Sequence, residues 1–459
     1  MRTFFLPEGS AEPEVTFREL AGLTLEEPVP TPGLAGSAAR RLAAGRPALV
    51  AERTDTIMRA LGEAVVDWLA AGSPERDLAE RSFSAASGVP RATAPFIPLL
   101  EPAIPGAIRD WVREEVAPLE ALDGFTPRPG GGAVRALGPR LAVIVASGNV
   151  PLAWLPVLLA CLAMRTPCLI KPAAEDPLGP ALFAGTLAKR LPAIAACVGV
   201  LPWKGGDEEV EAAVLAEAGA LVVFGGDTAV RSLARRVPPE VRFVARGPRF
   251  AGGIVARESL GPGRFERVAE AMARDALLYD GRGCLSLKTV FLEKGGLLDP
   301  PEAARILAAA MERAAREIPA GRPGLDWAVV TRGTLGRLKA RSLAGKGTFL
   351  AAPGEGLDWA FAFDGELPVP EPAPYRTLWA TPVRDISEVP AAVAARGGRL
   401  HALAFAGPDS RRAALAASLA GSGVTLVVPF GRLQSPPLSW PNGGSSPFAE
   451  LLGWTRTER

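Results

Sequence analysis

The chain has 459 residues, 48% hydrophobic and 22% charged, with 51 Lys and Arg against 49 Asp and Glu and a formal net charge of +2. That length exceeds one ordinary core and implies two or three domains. The apolar content excludes disordered and fibrous classes, and the near-balanced charge removes any electrostatic case for nucleic acid or an anionic membrane. His401 is the single histidine, so His-cluster metal sites are excluded and no metal is expected. Four cysteines, at 161, 168, 197 and 284, are too few for a disulfide scaffold. The composition points to a soluble, cytoplasmic enzyme. Asn occurs only at 149 and 442 and Gln only at 434, a depletion of thermolabile amides that suggests a thermophile.

Residues 1–40, rich in Pro, Gly and Glu, read as an arm or edge strands, and the first residues lack the apolar stretch of a signal peptide. Residues 50–120 show helical spacing, as in TDTIMRALGEAVVDWLA, and TPRPGGGAVRALGPR is a turn-rich connector. The uncharged run Leu141–Met164 is long enough to span a membrane, yet Gly148, Asn149, Pro151 and Pro156 break it into a strand and a helix, so no membrane span is expected. From there short apolar runs (LAVIVAS, TPCLIKP, ACVGVLPW, GALVVFGG, VRFVAR) alternate with amphipathic helices, the pattern of a parallel sheet wound by right-handed crossovers. A second α/β unit starts near Arg249, with strands expected at GGIVA, TVFLE, WAVVT, RTLWATPV and LHALAFAG. The fold class is α/β, with two doubly wound parallel-sheet domains in series. The expected division is 1–40 arm, 41–248 Rossmann-like domain with N-terminal helices, 249–425 catalytic domain, and 426–459 a C-terminal strand and loop returning to the first domain.

Cys284, in DGRGCLSLK, follows two glycines flanking an arginine, so its thiol stands on a permissive turn; it is either a half-buried loop thiol or a nucleophile. Without a nearby His, such a thiolate still attacks a thioester or an aldehyde, and Arg282 or Lys288 would favour the ionised form if aimed at it. Cys161, Cys168 and Cys197 read as small core hydrophobes. Asn149, in ASGNVP, occupies a strand-to-helix corner where α/β folds place ligands; it is either an N-cap or an amide donor to a developing oxyanion. Lys171 closes the strand CLIK as a snorkelling surface lysine or a ligand group. In VVFGGDT, Gly225, Gly226 and Asp227 open a helix in a geometry that lets backbone N–H groups approach a phosphate or nicotinamide. The G-x-G-x-x-G fingerprint is absent.

In this order, SGNVP, KPAAEDP, VFGGDT and YDGRGCLS resemble the aldehyde dehydrogenase superfamily, and with PFGRLQSPPLSWPNGG they look most like the LuxC-type fatty acyl-CoA reductases. The resemblance implies that Cys284 is the acyl-accepting nucleophile, with Asn149 and the Cys284 N–H as the oxyanion hole. It places Lys171 on the adenosine ribose or a 2′-phosphate, Gly205 and Gly206 on the adenosine side, and Gly226 against the nicotinamide half. Ser147, Gly148, Gly225 and Asp227 complete the implied cofactor contacts. It also implies homo-oligomers and an acyl-activating partner protein.

Hydrolytic aldehyde dehydrogenases carry a water-activating Glu in an E-L-G-G segment; here VARGPRFAGG offers Arg246–Gly247 instead. An acyl-enzyme without that base persists until hydride arrives, which favours reduction of an acyl thioester, with coenzyme A as substrate and product, over aldehyde oxidation. The ribose-binding Glu of K-P-A-E is replaced by Ala174, with Glu175 one step later, which favours NADPH with NADH possible. A second departure, Leu287–Lys288 after CLS, bears on the acyl tunnel. The competing readings are an acyl-phosphate reductase of the glutamyl-phosphate type, aldehyde oxidation, and a non-catalytic homologue. Apolar segments around Trp154 and Trp440 favour an acyl chain.

Overall fold

The computed structural model describes residues 1–353, 357–364, 374–395 and 399–458. It divides into two compact units: Met1–Ser87 with Phe96–Gly247 and Pro437–Arg459, and Gly88–Pro95 with Pro248–Pro436.

The first unit begins with an antiparallel pair, β1 (Val15–Leu20) and β2 (Leu23–Pro28), turning through Ala21 and Gly22, both at positive φ. Helices Pro32–Ala51, Thr54–Leu69, Pro74–Ser87 and Pro105–Glu115 follow, the first capped by the Thr31 side chain on the Leu34 N–H. After β3 (Thr126–Pro127) and β4 (Ala133–Leu137) come β5 (Ala142–Val145), β6 (Cys168–Lys171), β7 (Val198–Val200), β8 (Ala220–Phe224) and β9 (Arg242–Arg246). These last five form a parallel sheet in the order β7-β6-β5-β8-β9. Val143, Leu169 and Leu221 on its strands pack with Leu34 and Leu42 of the first helix and with Val210 and Val214 of helix Glu208–Leu215. Strands buried on both faces explain why they read as unbroken apolar runs.

The second unit contains β10 (Phe250–Val255), β11 (Leu287–Glu293), β12 (Thr348–Ala351), β13 (Ala360–Phe363), β14 (Thr377–Val383), β15 (Leu400–Ala406) and β16 (Leu426–Val428). Among the described residues they form one sheet, β12-β13-β14-β11-β10-β15-β16, parallel except for β12 against β13. The segment after residue 425 is split: β16 pairs with β15 here, whereas β17 (Gly453–Thr457) pairs antiparallel with β4 in the first unit.

One expected strand is absent. WAVVT, residues 327–331, lies inside helix Leu325–Leu343. Its local β-branched content is outweighed by burial at Ala328, Thr331, Thr334, Leu335 and Leu338, a three-and-four spacing, while Val329 and Val330 face solvent at 60% and 42% exposure. Among the described residues no helix is long and apolar enough to cross a membrane; the run 141–164 is β5 and the helix Leu155–Ala163.

Candidate functional site

In the first unit a cavity of roughly 550 Å³ opens at the carboxyl ends of β5, β6 and β8. Open α/β sheets place their ligands in this position, and the volume falls within the usual range for ligand pockets. Val143, Val145, Leu221, Val214, Leu215 and Phe224 form apolar walls, and Gly148, Lys171, Gly205 and Gly206 line it as well. Ser147 and Gly225–Asp227 are neighbours in sequence of the wall residues Ala146, Phe224 and Thr228 but lie outside the walls. Helix Asp227–Ala234 begins at the Gly226 N-cap.

The charges of the cavity are arranged in opposition. Lys171 ends β6 with its Nζ 5.8 Å from the Trp203 ring centroid, where burial lowers its pKa while Glu211 and Glu175 raise it. Asp207 caps helix Glu208–Leu215 through the Val210 N–H, fixing Glu211 within its first turn. Glu211 accepts from the Gly206 N–H at 3.1 Å and pairs with Arg236 at 2.7 Å. Gly206 needs its glycine because φ is +88°. At Gly148 a Cβ would run into the Glu175 side chain, whose own Cβ is 2.9 Å from that point. Glu175 therefore lines the same cavity as Lys171, so moving the carboxylate one residue from the expected position does not remove it from the site.

Asn149 lies in the corner after β5, and it is not the N-cap of the following helix: Trp154 takes that position, without a side-chain cap bond. Trp154 is buried, edge-on to Phe183 at 5.9 Å, and Phe183 in turn packs on Trp68. Trp440 is also buried, in the first unit. Both tryptophans therefore pack within the first unit. Arg246, in the segment VARGPRFAGG, donates to Glu450 at 2.9 Å.

In the second unit, helix Arg264–Leu277 is followed by three consecutive left-handed residues, Tyr279 (φ 53°), Asp280 (φ 56°) and Gly281 (φ 63°). At Gly281 a Cβ would meet Lys288 Nζ at 2.9 Å and the Ala276 carbonyl at 3.0 Å. Each non-glycine residue in this region costs about 1–3 kcal/mol and persists only where its surroundings hold it. Here the Tyr279 N–H donates to Thr93 O (2.7 Å) and its hydroxyl to Pro95 O (2.9 Å). The buried Asp280 carboxylate accepts from the buried Arg376 at 3.0 Å and from the Gly321 N–H at 3.2 Å.

The turn that follows carries Cys284. It is closed by Ser286 N–H to Gly283 O (3.0 Å) and Gly283 N–H to the Ser286 hydroxyl (3.1 Å), and β11 starts at Leu287. Cys284 is partly open to solvent, whereas Cys161, Cys168 and Cys197 are buried. Burial pushes the Cys284 thiol up to about 11, while the backbone N–H groups of Cys284 and Leu285 and the charge of Arg249 favour the thiolate. Lys288, expected as a possible support of the thiolate, is engaged elsewhere: its Nζ donates to Pro374 O at 3.1 Å, and burial beside Arg376 brings it down to about 7.

Three residues of this region escaped the sequence reading. Arg249 acts on the thiol, His401 Nε2 lies 2.9 Å from the Cys284 carbonyl, and Gln434 Nε2 donates to Leu285 O and Asp275 O, each at 3.1 Å. The available signal was rarity: they include the only His and the only Gln of the chain.

A five-stranded Rossmann-like sheet followed by a parallel sheet bearing a loop cysteine is the architecture of the aldehyde dehydrogenase superfamily, and solved structures of that class overlay the chain. Aldehyde dehydrogenase 21 from Physcomitrella patens, in complex with succinate, is 13% identical with a TM-score of 0.69, covering 100% of this chain and 98% of its own. The NADP-dependent glyceraldehyde-3-phosphate dehydrogenase of Bacillus halodurans, complexed with NADP, is 14% identical with a TM-score of 0.68 over 97% and 96%. Within that class, residues 50–454 match the acyl-CoA reductase (LuxC) family, and the chain belongs to it. The long-chain acyl-protein thioester reductases of Aliivibrio fischeri and Photorhabdus luminescens are 26% and 23% identical over 189 residues. Each match spans 40% of this chain and 38% of the relative, well under half of its length.

Proposed function

We propose that the protein is an oxidoreductase that reduces a long-chain acyl thioester to the aldehyde through an acyl-enzyme on Cys284. The observation that carries this reading is Cys284 itself: a partly open thiol on a turn held rigid on both sides, in a chain of the acyl-CoA reductase family. The names of the relatives, acyl-protein thioester reductases, favour a thioester over an acyl phosphate and make a protein-bound acyl donor as eligible as acyl-CoA. An acyl-activating partner and a homo-oligomeric assembly belong to the same reading.

The cavity of the first unit suits the adenosine end of a nicotinamide dinucleotide. It has apolar walls for a flat base, glycines that leave room for close backbone approach, and Lys171 for ribose or phosphate oxygens. The cofactor, when bound, supplies hydride. NADPH is the proposed reductant and NADH the second reading: Arg236 and Gly206 already engage Glu211, so Lys171 and Glu175 set the charge that a 2′-phosphate would meet.

The Cys284 thiolate attacks the thioester carbonyl, forming a C–S bond, and the donor thiolate departs and takes a proton from solvent. Asn149 is the proposed amide donor to the oxyanion of that step. Arg246, paired with Glu450, offers no carboxylate to activate water, so the acyl-enzyme survives until it is reduced. After reduction the alkoxide collapses, the C–S bond breaks, the aldehyde leaves and the Cys284 thiolate is restored.

The test is anaerobic incubation with long-chain acyl-CoA, and separately with an acyl thioester on a carrier protein, without reductant. Stoichiometric thiol release and an acyl mass gain that Cys284→Ala abolishes are expected, followed by aldehyde once NADPH is added. No acylation from either donor, together with turnover of an aldehyde and NADP⁺ to the free acid, would overturn the reading.

A further inference from the structure

The three carbonyls that follow the thiol-bearing carbon are each gripped from a different part of the second unit. The Cys284 carbonyl meets His401 Nε2 on β15 at 2.9 Å, the Leu285 carbonyl accepts from Gln434 at 3.1 Å, and the Ser286 carbonyl accepts from the Ala251 N–H at 3.2 Å. A carbonyl only accepts, so Nε2 carries the ring hydrogen toward Cys284. His401 is 0% exposed, and burial, with Arg249 nearby, holds its pKa down to about 4, so the ring is neutral throughout the working range.

The Cys284 carbonyl and the Leu285 N–H belong to one planar peptide group. On its oxygen side it receives the imidazole, and on its nitrogen side it is one of the two N–H groups that favour the Cys284 thiolate. We propose that His401 is a positioning residue for the nucleophile, its Nε2–H, the Cys284–Leu285 peptide and the Cys284 sulfur forming a hydrogen-bond relay that stabilises the thiolate. Withdrawal of electron density toward the carbonyl oxygen strengthens the N–H on the other side, and hydrogen bonds in such chains reinforce one another by about 10–30% per bond. The histidine transfers no proton and touches no reacting atom. Gln434 grips the next peptide, whose N–H goes to the Gly283 carbonyl and not to sulfur, so it steadies the same turn without that electronic link.

This inference rests on Cys284 as the nucleophile, yet its test needs no substrate. The full chain is alkylated with iodoacetamide from pH 6 to 11 and the rate at Cys284 is followed by intact mass, with Cys284→Ala marking any reaction at the buried cysteines. His401→Leu is expected to shift the profile alkaline and slow alkylation ~3- to 10-fold below the thiol pKa, His401→Gln to restore the rate within about 2-fold, and Gln434→Leu to leave the profile in place. An unchanged profile in folded His401→Leu, or an equal shift in Gln434→Leu, overturns the relay. Because the chain has one histidine, ¹⁵N-histidine labelling of the wild type gives a reading that no variant's folding can spoil: the Nε2–H tautomer supports the relay and the Nδ1–H tautomer overturns it. A shifted profile in a protein that accepts no acyl group would leave the relay standing and remove the proposed function. Normal acylation with an unshifted profile would do the reverse.

Discussion

The cavity of the first unit and the cysteine turn of the second solve opposite problems. The cavity is built from what its residues lack: glycines at 148, 205 and 206 leave room, and its cations and carboxylates offset one another. The turn is built from what its residues impose. Two non-glycine residues sit in the left-handed region, a buried ion pair holds them, and side chains from two distant segments hold the turn's carbonyls. In the proposed roles the cavity tolerates adjustment and the thiol does not, since misplacing a reacting atom by about an ångström costs roughly a hundredfold in rate.

Substitutions of equal size should therefore cost far more in the turn than in the cavity. Cys284→Ala is expected to reduce aldehyde formation by at least roughly 10³-fold without changing the melting temperature, as read by steady-state rates beside thermal denaturation. Next in size, Arg376→Leu leaves Asp280 buried and unpaired and is expected to remove about 3–5 kcal/mol of stability in urea titrations. If the urea midpoint barely moves, the left-handed segment is not held by that pair.

A third effect depends on pH. The folded-state pKa of His401 lies near 4, below its ordinary 6.5, so between those values the unfolded chain binds the extra proton. The stabilising contribution is complete above pH 6.5 and is lost as pH falls through 4, amounting to about 3 kcal/mol. Asp275, pushed up to about 7 by burial, runs the other way over roughly the same interval, so the quantity to read is the wild-type curve minus that of His401→Gln, which should flatten above pH 6.5.

Effects in the cavity should be milder and repairable. Gly148→Ala is expected to raise the cofactor KM about tenfold by driving its methyl into Glu175, whose Cβ as well as its carboxylate lies in the way, and adding Glu175→Gly should reverse most of that. A KM that stays high in the double variant would mean that the alanine disturbs more than this contact. Smallest of all, Glu175→Gln removes a carboxylate beside Lys171 and should increase the preference for NADPH over NADH about threefold, measured as a ratio of kcat/KM values.

Much of the fold was legible along the chain because parallel strands buried on both faces leave uninterrupted apolar runs, and β5 to β9 appear as such in LAVIV, CLIK, VGV, ALVVF and RFVAR. Trp327–Thr331 misled for the same reason that the others succeeded: five residues report local propensity, while the period of burial over nineteen decides the element. Lys171 could be placed because a charge ending a buried strand contradicts its own neighbourhood. The packing of Trp154 was not legible, since nothing in its sequence context reveals that Phe183 lies against it. The N-cap alternative for Asn149 was equally undecidable, because the length of the corner before the helix is set by how the chain packs.

By itself the sequence determined the alternation of strands and helices, the thiol on a glycine-flanked turn, and the glycines of the cavity, because each follows from periodicity or from the conformational freedom of one residue type. Only the tertiary structure decided which groups surround the thiol and its turn. Arg249 lies 35 residues before Cys284, His401 117 residues after it, and Gln434 149 residues after Leu285. Hydrogen bonds and charges act over a few ångströms whatever the separation along the chain, so their partners are set by the sheet order that brings β10, β11 and β15 side by side.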